Sequence, residues 1–253
     1  MLNAIILAGE QKILSSNDIS GDISNKALLR INERAMVEYV VDVIRKVNLI
    51  DRIVVVGPVA ELNKIIGDRV DAVIEDTGEI MQNVTAGIKS LNSDEFVLVA
   101  TSDIPMISVE AVEDFIKRSI ETKVDFCYPI IEKKYNDDKF PGIRRTYTRM
   151  REGNFTGGNI FYVSPSIALE NVQLAQKFIA ARKNPLRMAR ILGLRFVFQL
   201  AVGTLTIRKV EEKFSEIFGI KAKAIISSYP EVGNDVDKPE DLVFAMAYLS
   251  RKA

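Results

Sequence analysis

The sequence predicts an α/β fold in which a mainly parallel sheet is covered by helices on both faces. Short apolar runs rich in β-branched residues alternate along the chain with segments whose apolar residues recur every three or four positions. Strands that alternate with helices in this way form parallel sheets that are buried on both faces. The 253 residues, 47% of them apolar, suffice for one full hydrophobic core. We therefore expect a single domain over residues 1–253.

The predicted strands are the apolar runs that are too short for helices and are bounded by polar or glycine-containing segments. They are Ala4–Leu7, Arg52–Val56, Ala72–Ile74, Phe96–Ala100, Phe126–Ile131, Ile160–Val163, Arg195–Leu200 and Ala222–Ile226.

The predicted helices show apolar residues at the spacing of one helical face, most clearly in Met36–Val47. Similar faces occur in Ile80–Leu91, Val109–Ile120 and Leu242–Leu249. Two further helices are predicted to start at Ser164-Pro165 and Asn184-Pro185, and Gly193 is predicted to end the second.

One segment departs from this regular alternation. Glu132–Glu152 is charged, contains Pro141-Gly142 and has weak periodicity, so it predicts an excursion outside the regular units. We place this excursion around residues 132–190 and expect it on the side of the site that receives an acceptor substrate.

The composition excludes several classes of function. Lys plus Arg and Asp plus Glu both number 34, so no global field favours nucleic acid or an anionic membrane, and neither is an expected partner. Cys127 is the only cysteine, and the start of the chain lacks the pattern of a signal peptide, so we expect a cytoplasmic protein. The absence of histidine leaves carboxylates, Lys, Arg and a metal ion to perform any chemistry. The oligomeric state stays open, a homo-oligomer included.

Two aspartates far apart in the chain are the strongest functional signal. Asp103 follows the strand Phe96–Ala100, and Asp235 lies in the sequence GNDVDKPEDL. Ligands of open α/β sheets bind at the carboxyl ends of strands, where these two carboxylates could hold one Mg²⁺ ion. Asp237 has a different expected role, because Glu240 follows it at capping-box spacing before a helix.

The amino-terminal strand supplies a candidate nucleotide site. The run from Ala4 to Ala8 ends at Gly9, whose loop can present backbone N–H groups to phosphates, and Lys26 can add a positive charge. In QNVTAG, Asn83 and Gly87 suit the wall of a base or ribose pocket, although close packing of a helix on the sheet explains Gly87 equally well.

The acceptor side has weaker signals. Thr156, Gly157, Gly158 and Asn159 combine glycines that allow positive φ with an amide side chain, although a tight turn before a strand is the competing explanation. Arginine forks bind phosphate in bidentate fashion, which makes the nearby basic residues candidates for acceptor binding. They are Arg144, Arg145, Arg182 and Lys183.

The ordered set IILAG, NKALL, QNVTAG, TSDIP, TGGN and DVDKPEDL resembles the MobA-like nucleotidyltransferases over nearly the whole chain. This family includes molybdenum-cofactor and adenosylcobinamide-phosphate guanylyltransferases. The resemblance implies a three-layer α/β/α Rossmann-like fold of the GT-A type with a mixed sheet, and Mg²⁺ held by Asp103 and Asp235. It also implies that Leu7, Ala8 and Gly9 contact base and ribose through their backbone, that Asn83 and Gly87 line them, and that Lys26 contacts the phosphates. Residues 156–159 would face a small phosphorylated acceptor.

The loop after Gly9 departs from the family pattern of two glycines and an arginine. Glu10 follows Gly9, and Ile13–Ser24 contains no arginine, so Lys12 is the candidate for the missing charge.

The expected activity is transfer of a nucleoside monophosphate from an NTP, with GTP or CTP favoured, and release of pyrophosphate. Two alternatives remain: a nucleotide-sugar-dependent glycosyltransferase and a nucleotide sensor without catalysis. Thr101-Ser102-Asp103 lacks the first aspartate of the Asp-x-Asp pair that the former usually has.

Overall fold

The protein is described here from a computed structural model, which covers residues 1–9, 25–181 and 184–251. The strands are β1 Leu2–Leu7, β2 Arg30–Ile31, β3 Arg34–Ala35, β4 Ile50–Val56, β5 Ala72–Ile74, β6 Val97–Thr101, β7 Phe126–Glu132, β8 Thr148–Met150, β9 Gly153–Gly157, β10 Ile160–Val163 and β11 Ala222–Ser227.

The α-helices cover the sheet, and several lie in the predicted excursion around residues 132–190 or directly after it. They are α1 Met36–Arg45, α2 Val59–Ile66, α3 Ile80–Leu91, α4 Val109–Thr122, α5 Lys133–Lys139, α6 Pro165–Glu170, α7 Val172–Ala181, α8 Pro185–Leu192, α9 Leu194–Ala201, α10 Ile207–Phe218 and α11 Pro239–Ser250. Single 3-10 turns occupy Lys26–Leu28 and Pro230–Gly233. Among the described residues, no helix is both long enough and apolar enough to cross a bilayer.

The main sheet is mixed, with parallel pairing at its centre. Its order is β5-β4-β1-β6-β10-β7-β9-β8, and β11 pairs in parallel with β7. The pairs β5-β4, β4-β1 and β1-β6 are parallel, whereas β10 runs antiparallel to both of its neighbours. The predicted mainly parallel sheet with a mixed part is confirmed.

The two faces of the sheet are buried under different helices because side chains alternate along each strand. On β1, Ala4 and Ile6 pack with α1, α2 and α4, whereas Ile5 and Leu7 pack with α3 and α6. This arrangement is the predicted three-layer α/β/α architecture.

One predicted strand is wrong. Arg195–Leu200 lies in helix α9, which starts after Gly193 at a φ of +91°. Leu194, Phe198 and Val202 follow helical i, i+4, i+8 spacing, and Val197 is the one β-branched residue between Leu194 and Ala201. Over these few residues, the order of polar and apolar side chains also resembles that of a strand.

The excursion is more regular than the sequence predicted. It contains α5, and β9 extends the main sheet by antiparallel pairing with β7, while β8 pairs antiparallel with β9. Periodicity does not identify such short strands, because β8 has no buried residue and β9 has only Phe155.

The predicted helix starts hold. The side-chain oxygen of Asn184 accepts hydrogen bonds from the N–H groups of Leu186 and Arg187, both at 3.1 Å. Ser164 is the N-cap of α6 by position, but its hydroxyl lies 3.0 Å from that of Ser166 instead of capping the helix.

Candidate active site

The carboxyl ends of β1 and β6 meet at one edge of the sheet and position Asp103. Leu7 pairs with Thr101, and the N–H of Ser102 donates to the Leu7 carbonyl at 3.0 Å. Asp103 follows directly, is 5% exposed, and accepts a hydrogen bond from the Thr101 hydroxyl at 2.5 Å. The side chain is therefore held at the strand end where the sequence predicted it.

A backbone hydrogen bond brings the second acidic segment to the first. The N–H of Val236 donates to the carbonyl of Asp103 at 2.9 Å, and the Val236 side chain is fully buried. Carboxylate oxygens of Asp103, Asp235 and Asp237 then all lie within 4.8 Å of one another. We call these three residues the aspartate cluster.

The predicted capping role of Asp237 is wrong. The N–H groups of Asp237 and Lys238 donate to the carboxylate of Asp241, at 3.1 Å and 2.9 Å, so the cap lies one residue further along than expected. The Asp237 carboxylate instead accepts from Lys26 Nζ at 2.6 Å. Asp237 and Lys238 each have an acidic residue three positions later, Glu240 and Asp241, and capping-box spacing alone does not choose between the two pairs.

Lys26 lies between two members of the cluster. Its Nζ is 2.8 Å from Asp103 Oδ2 and 2.6 Å from Asp237 Oδ1, and the residue is 3% exposed. Burial lowers the pKa of Lys26, but the charges of Asp103 and Asp237 and their hydrogen bonds outweigh burial and raise it overall. Lys26 is therefore a fixed positive charge.

Asn25, which the sequence did not single out, positions this lysine. Its side-chain amide donates to the Ala8 carbonyl at 2.9 Å, and its side-chain oxygen accepts from the N–H of Ala27 at 2.8 Å. The signal that could have revealed it is an Asn immediately before a short helical turn.

Asp235 faces Arg145 as well as the two other aspartates. Arg145 Nη1 lies 2.5 Å from Asp235 Oδ1. Burial raises the pKa of Asp235 to about 6, against the opposing charge of Arg145. For Asp237, burial favours a higher pKa, but the hydrogen bonds to Asp235 and Lys26 outweigh it and lower the pKa. The neighbouring carboxylates thus differ in their affinity for a proton.

This donor set fits a hard divalent cation. Mg²⁺ prefers carboxylate oxygens, and three of them converge here from two distant segments. The cluster includes both predicted ligands, Asp103 and Asp235, and adds Asp237. A buried carboxyl such as that of Asp235, with a raised pKa, is one whose charge still lacks full compensation by the protein.

A buried glutamate supports the loop that carries Asp235 and Asp237. The Glu231 carboxylate is fully buried and accepts hydrogen bonds from Lys139 Nζ at 2.7 Å and from the Ser108 hydroxyl at 2.7 Å. The Asn234 side chain donates to Asn136 Oδ1 at 2.8 Å. Helices α4 and α5 thereby fix the residues just before the cluster, and nothing in the local sequence pattern indicated these contacts.

Gly9 lies beside Asn83 on the predicted nucleotide side. A Cβ atom at Gly9 would lie 2.5 Å from Asp76 Oδ1 and 2.8 Å from Asn83 Nδ2. Asn83 is 5% exposed, and its side-chain oxygen accepts from the backbone N–H of Thr77 at 2.9 Å. Position 9 therefore requires glycine, because any side chain there would clash with Asp76 and Asn83. The sequence identified Asn83 as a candidate but not Asp76.

Three other predicted nucleotide-binding residues make contacts within the protein. The Ala8 N–H donates to the Val56 carbonyl at 2.7 Å, and the Leu7 carbonyl accepts from Ser102. A Cβ atom at Gly87 would lie 2.8 Å from the Ile5 side chain, so the structure supports the packing explanation for that glycine.

Residues 156–159 link the end of β6 to the turn Pro230–Gly233 through backbone hydrogen bonds of Asn159. The carbonyl of Asn159 accepts from the N–H of Thr101 at 3.0 Å, and its N–H donates to the Val232 carbonyl at 2.7 Å. Thr156 belongs to β9 and pairs with Ile131.

The two glycines of this segment are needed for space and not for positive φ. Neither Gly157 nor Gly158 has a positive φ. A Cβ atom at Gly157 would lie 2.0 Å from the Tyr128 hydroxyl, and one at Gly158 would lie 2.7 Å from Pro129. Of the properties that glycine offers, these two positions use the absence of a Cβ atom and not the freedom to adopt positive φ.

The structure describes two of the four predicted basic residues. Arg145 contacts Asp235, whereas Arg144 is exposed. Arg182 and Lys183 lie outside the described residues, as do Glu10, Lys12 and the rest of the loop up to Ser24.

Comparisons with known proteins agree with this architecture. A sequence model of the MobA-like NTP transferase domain matches residues 4–194. No curated protein matches the sequence. Among solved structures, a hypothetical transferase from Thermus thermophilus is 32% identical, with a TM-score of 0.84, over 96% of this chain and 100% of that chain.

Two more distant structures share the fold. The first is CMP:2-keto-3-deoxy-manno-octonic acid synthetase in complex with CTP, with 12% identity, a TM-score of 0.64 and coverage of 100% of this chain and 99% of that chain. The second is 4-diphosphocytidyl-2C-methyl-D-erythritol synthase from Anaerococcus prevotii, with 18% identity, a TM-score of 0.60 and coverage of 99% and 98%.

Proposed function

The chain belongs to the MobA-like NTP transferase family, and from this premise we propose that it transfers a nucleoside monophosphate from an NTP to a small phosphorylated acceptor. The observation that carries the proposal is the aspartate cluster at the carboxyl end of β6, with Lys26 between Asp103 and Asp237.

The proposed reaction is an in-line displacement at the α-phosphorus. An oxygen of the acceptor phosphate forms a bond to that phosphorus, the bond to the bridging oxygen of the β-phosphate breaks, and pyrophosphate leaves. The acceptor phosphate is already ionised near neutral pH, so no protein base has to remove a proton. Catalysis then depends on orientation and on compensation of negative charge.

The three aspartates would hold Mg²⁺, which neutralises phosphate charge when it is bound. Asp103 is rigidly held by Thr101, and Asp235 is held by Arg145. Arg145 thus positions a metal ligand, a role distinct from the acceptor contact that the sequence predicted for it.

Lys26 would stabilise the negative charge of the triphosphate. An ammonium group has three N–H donors, and Asp103 and Asp237 accept two of them. Within the described part of the chain, the third donor remains available to a phosphate oxygen.

The nucleoside would lie beside Gly9 and the first turn of α3, where Asn83 and Asp76 pack directly against the glycine. Leu7 and Ala8 form the floor of this region. We propose GTP or CTP as the donor. GTP follows from the guanylyltransferases of the family, and CTP from the two distant structural neighbours, of which one is bound to CTP and the other is named for a diphosphocytidyl compound.

The acceptor would approach from the side of Thr156, Gly157, Gly158 and Asn159, whose backbone adjoins both Thr101 and Val232. The exposed Arg144 could contact its phosphate, and we retain Arg182 and Lys183 as further candidates from the sequence.

The test measures pyrophosphate release with each of the four common NTPs and Mg²⁺, across a panel of sugar, alditol and pterin phosphates. Calorimetric titration of each NTP with and without Mg²⁺ separates binding from turnover. We expect one preferred NTP, binding that requires Mg²⁺, and a loss of turnover of about two orders of magnitude or more in Asp103→Asn and Asp237→Asn.

Asp68→Asn is the matched control, because the Asp68 side chain follows α2, is 87% exposed and lies outside the cluster. Full turnover in Asp103→Asn would overturn the proposal. Release of a free nucleoside diphosphate from a nucleotide sugar would instead identify a glycosyltransferase. Tight NTP binding without turnover for any acceptor would identify a sensor.

A further inference from the structure

Helices α8 and α9 leave large apolar side chains in contact with solvent. Leu186, Leu194 and Phe198 are 75%, 78% and 67% exposed, and Val202 is 47% exposed. The last three lie on one face of α9 at i, i+4, i+8 spacing, and α9 contains no buried residue. We call these four residues the α8–α9 apolar surface. A group of exposed apolar side chains on one element indicates an interaction site.

The same segment is strongly basic in an otherwise neutral chain. The whole sequence has equal numbers of acidic and basic residues, yet residues 171–210 contain no Asp or Glu. Arg187 and Arg190 of α8 and Arg195 of α9 are exposed on the same two helices that carry the apolar surface. Within the described ranges, none of these three arginines forms an ion pair with a carboxylate.

The nearest acidic residues already have partners. On α10, Glu212 pairs with Arg208 at 2.8 Å and Glu216 pairs with Lys213 at 3.1 Å. Glu211 pairs with Lys223 at 3.0 Å. Arg195 lines the shallow cleft between α9 and α10 together with Glu212 and Glu216, but the charge of both acids is balanced within α10.

A further arginine adds to this charge. Arg149 of β8 is exposed, and its side chain packs against Gly203 at the end of α9, where a Cβ atom would lie 2.7 Å from Arg149 Cδ. The positive charge therefore extends from the helices to the neighbouring edge of the sheet.

We propose that the α8–α9 apolar surface docks on an anionic membrane surface. The apolar side chains enter the boundary between headgroups and acyl chains, and the unpaired arginines contact anionic headgroups. Exposed large apolar side chains flanked by Lys or Arg are the features of helices that lie in the membrane interface. The neutral overall charge predicts no such partner, because it averages this segment with the acidic remainder of the chain.

Charge complementarity favours lipid over a second copy of the chain. A twofold dimer through this surface would bring the same arginines of both copies together, without an acidic residue from 171–210 to compensate them. An anionic bilayer supplies the opposite charge and an apolar phase together. Docking does not depend on the proposed function, since none of its residues belongs to the aspartate cluster.

The experiment is co-sedimentation of the full chain with vesicles of phosphatidylcholine alone and with vesicles that also contain phosphatidylglycerol. We expect binding to the anionic vesicles only, and weaker binding at high salt. The double variant Leu194→Ser/Phe198→Ser should bind about tenfold or more weakly, and so should Arg187→Gln/Arg190→Gln.

Two control variants test specificity. Val243 on α11 is 66% exposed, and Val243→Ser removes an exposed apolar side chain elsewhere. Arg208→Gln removes an arginine that is already paired with Glu212. Both should bind vesicles like the unchanged protein. Unaltered thermal unfolding of all variants shows that the fold is retained.

Three outcomes would overturn the proposal. They are no binding to anionic vesicles, equal binding by Leu194→Ser/Phe198→Ser, and equal loss of binding in the control variants. If light scattering shows a dimer that Leu194→Ser/Phe198→Ser dissociates, and vesicles do not bind, the surface is a protein interface.

Discussion

Lys26 Nζ lies 2.8 Å from Asp103 Oδ2, and both side chains are almost completely buried although 77 residues separate them in the chain. Asp237 completes the contact from the opposite end of the sequence, at 2.6 Å. A positive charge therefore occupies the space between two carboxylates of a cluster suited to a cation. The charge balance of Asp103 and Asp237 therefore depends on Lys26, whereas Arg145 pairs with Asp235.

The first prediction concerns that lysine. Lys26→Met removes the cation and keeps most of the side-chain volume, so the buried carboxylate of Asp103 loses its partner. Loss of one member of a buried ion pair costs about 3 kcal/mol, and we expect a decrease of this size in the free energy of unfolding. Urea denaturation followed by circular dichroism measures it. An unchanged unfolding midpoint would mean that Lys26 contributes nothing to the charge balance.

The second prediction compares two lysines on α5. Lys139 Nζ contacts the fully buried Glu231, whereas Lys133 contacts Asp137, whose side chain is 50% exposed. Lys139→Met should lower the free energy of unfolding by about 2 kcal/mol, because Glu231 then keeps only the Ser108 hydroxyl. Lys133→Met should change it by about 0.5 kcal/mol or less.

The comparison also tests how Glu231 positions the cluster. If the contact of Lys139 with Glu231 holds the loop of Asp235 and Asp237 in place, Lys139→Met should reduce kcat more than it changes KM for the NTP. Equal effects of the two lysine variants on stability would contradict the assigned difference in burial.

The third prediction concerns the space at Gly157. In Gly157→Ala, the new methyl group would meet the Tyr128 hydroxyl, and the Tyr128 ring is stacked on Phe161 with centroids 5.3 Å apart. Such overpacking costs about 1–3 kcal/mol. Tyr128→Phe removes the clashing oxygen, so the double variant should recover part of the loss. A double-mutant cycle of unfolding free energies measures this coupling, and strict additivity would refute it.

The fourth prediction concerns pH. Burial raises the pKa of Tyr162 to about 12, with smaller contributions from Cys127 and Glu95, and the ring is stacked on Phe96 at 4.6 Å. The phenol of an unfolded chain ionises near pH 10. Burial of the protonated Tyr162 phenol therefore contributes fully to the stability of the folded protein below pH 10. This contribution is lost as the pH rises toward 12.

A spectrophotometric titration of tyrosine ionisation tests this value. Subtracting the curve of Tyr162→Phe from that of the unchanged protein isolates one of the seven tyrosines. We expect the difference curve to have its midpoint near pH 12. A midpoint near pH 10 would show that Tyr162 reaches solvent in the folded protein.

Most of the main sheet could be predicted from the sequence, because its central strands are apolar runs buried on both faces. Arg195–Leu200 was the exception, since a short amphipathic helix and a short strand share the same few apolar positions. Strands β8 and β9 were not predicted, because few of their side chains are buried. Asp103 and Asp235 could be identified because each follows or precedes a recognisable element boundary.

The sequence by itself determined the alternation of strands and helices, the family and the end of the sheet at which acidic residues collect, because these depend on local periodicity and short motifs. Tertiary structure alone decided that Asp237 joins Lys26 while Asp241 caps α11, that Arg145 holds Asp235, and that Glu231 is anchored by Lys139. These contacts join segments far apart in the chain. Their distances depend on how the chain packs, which spacing along the sequence does not specify.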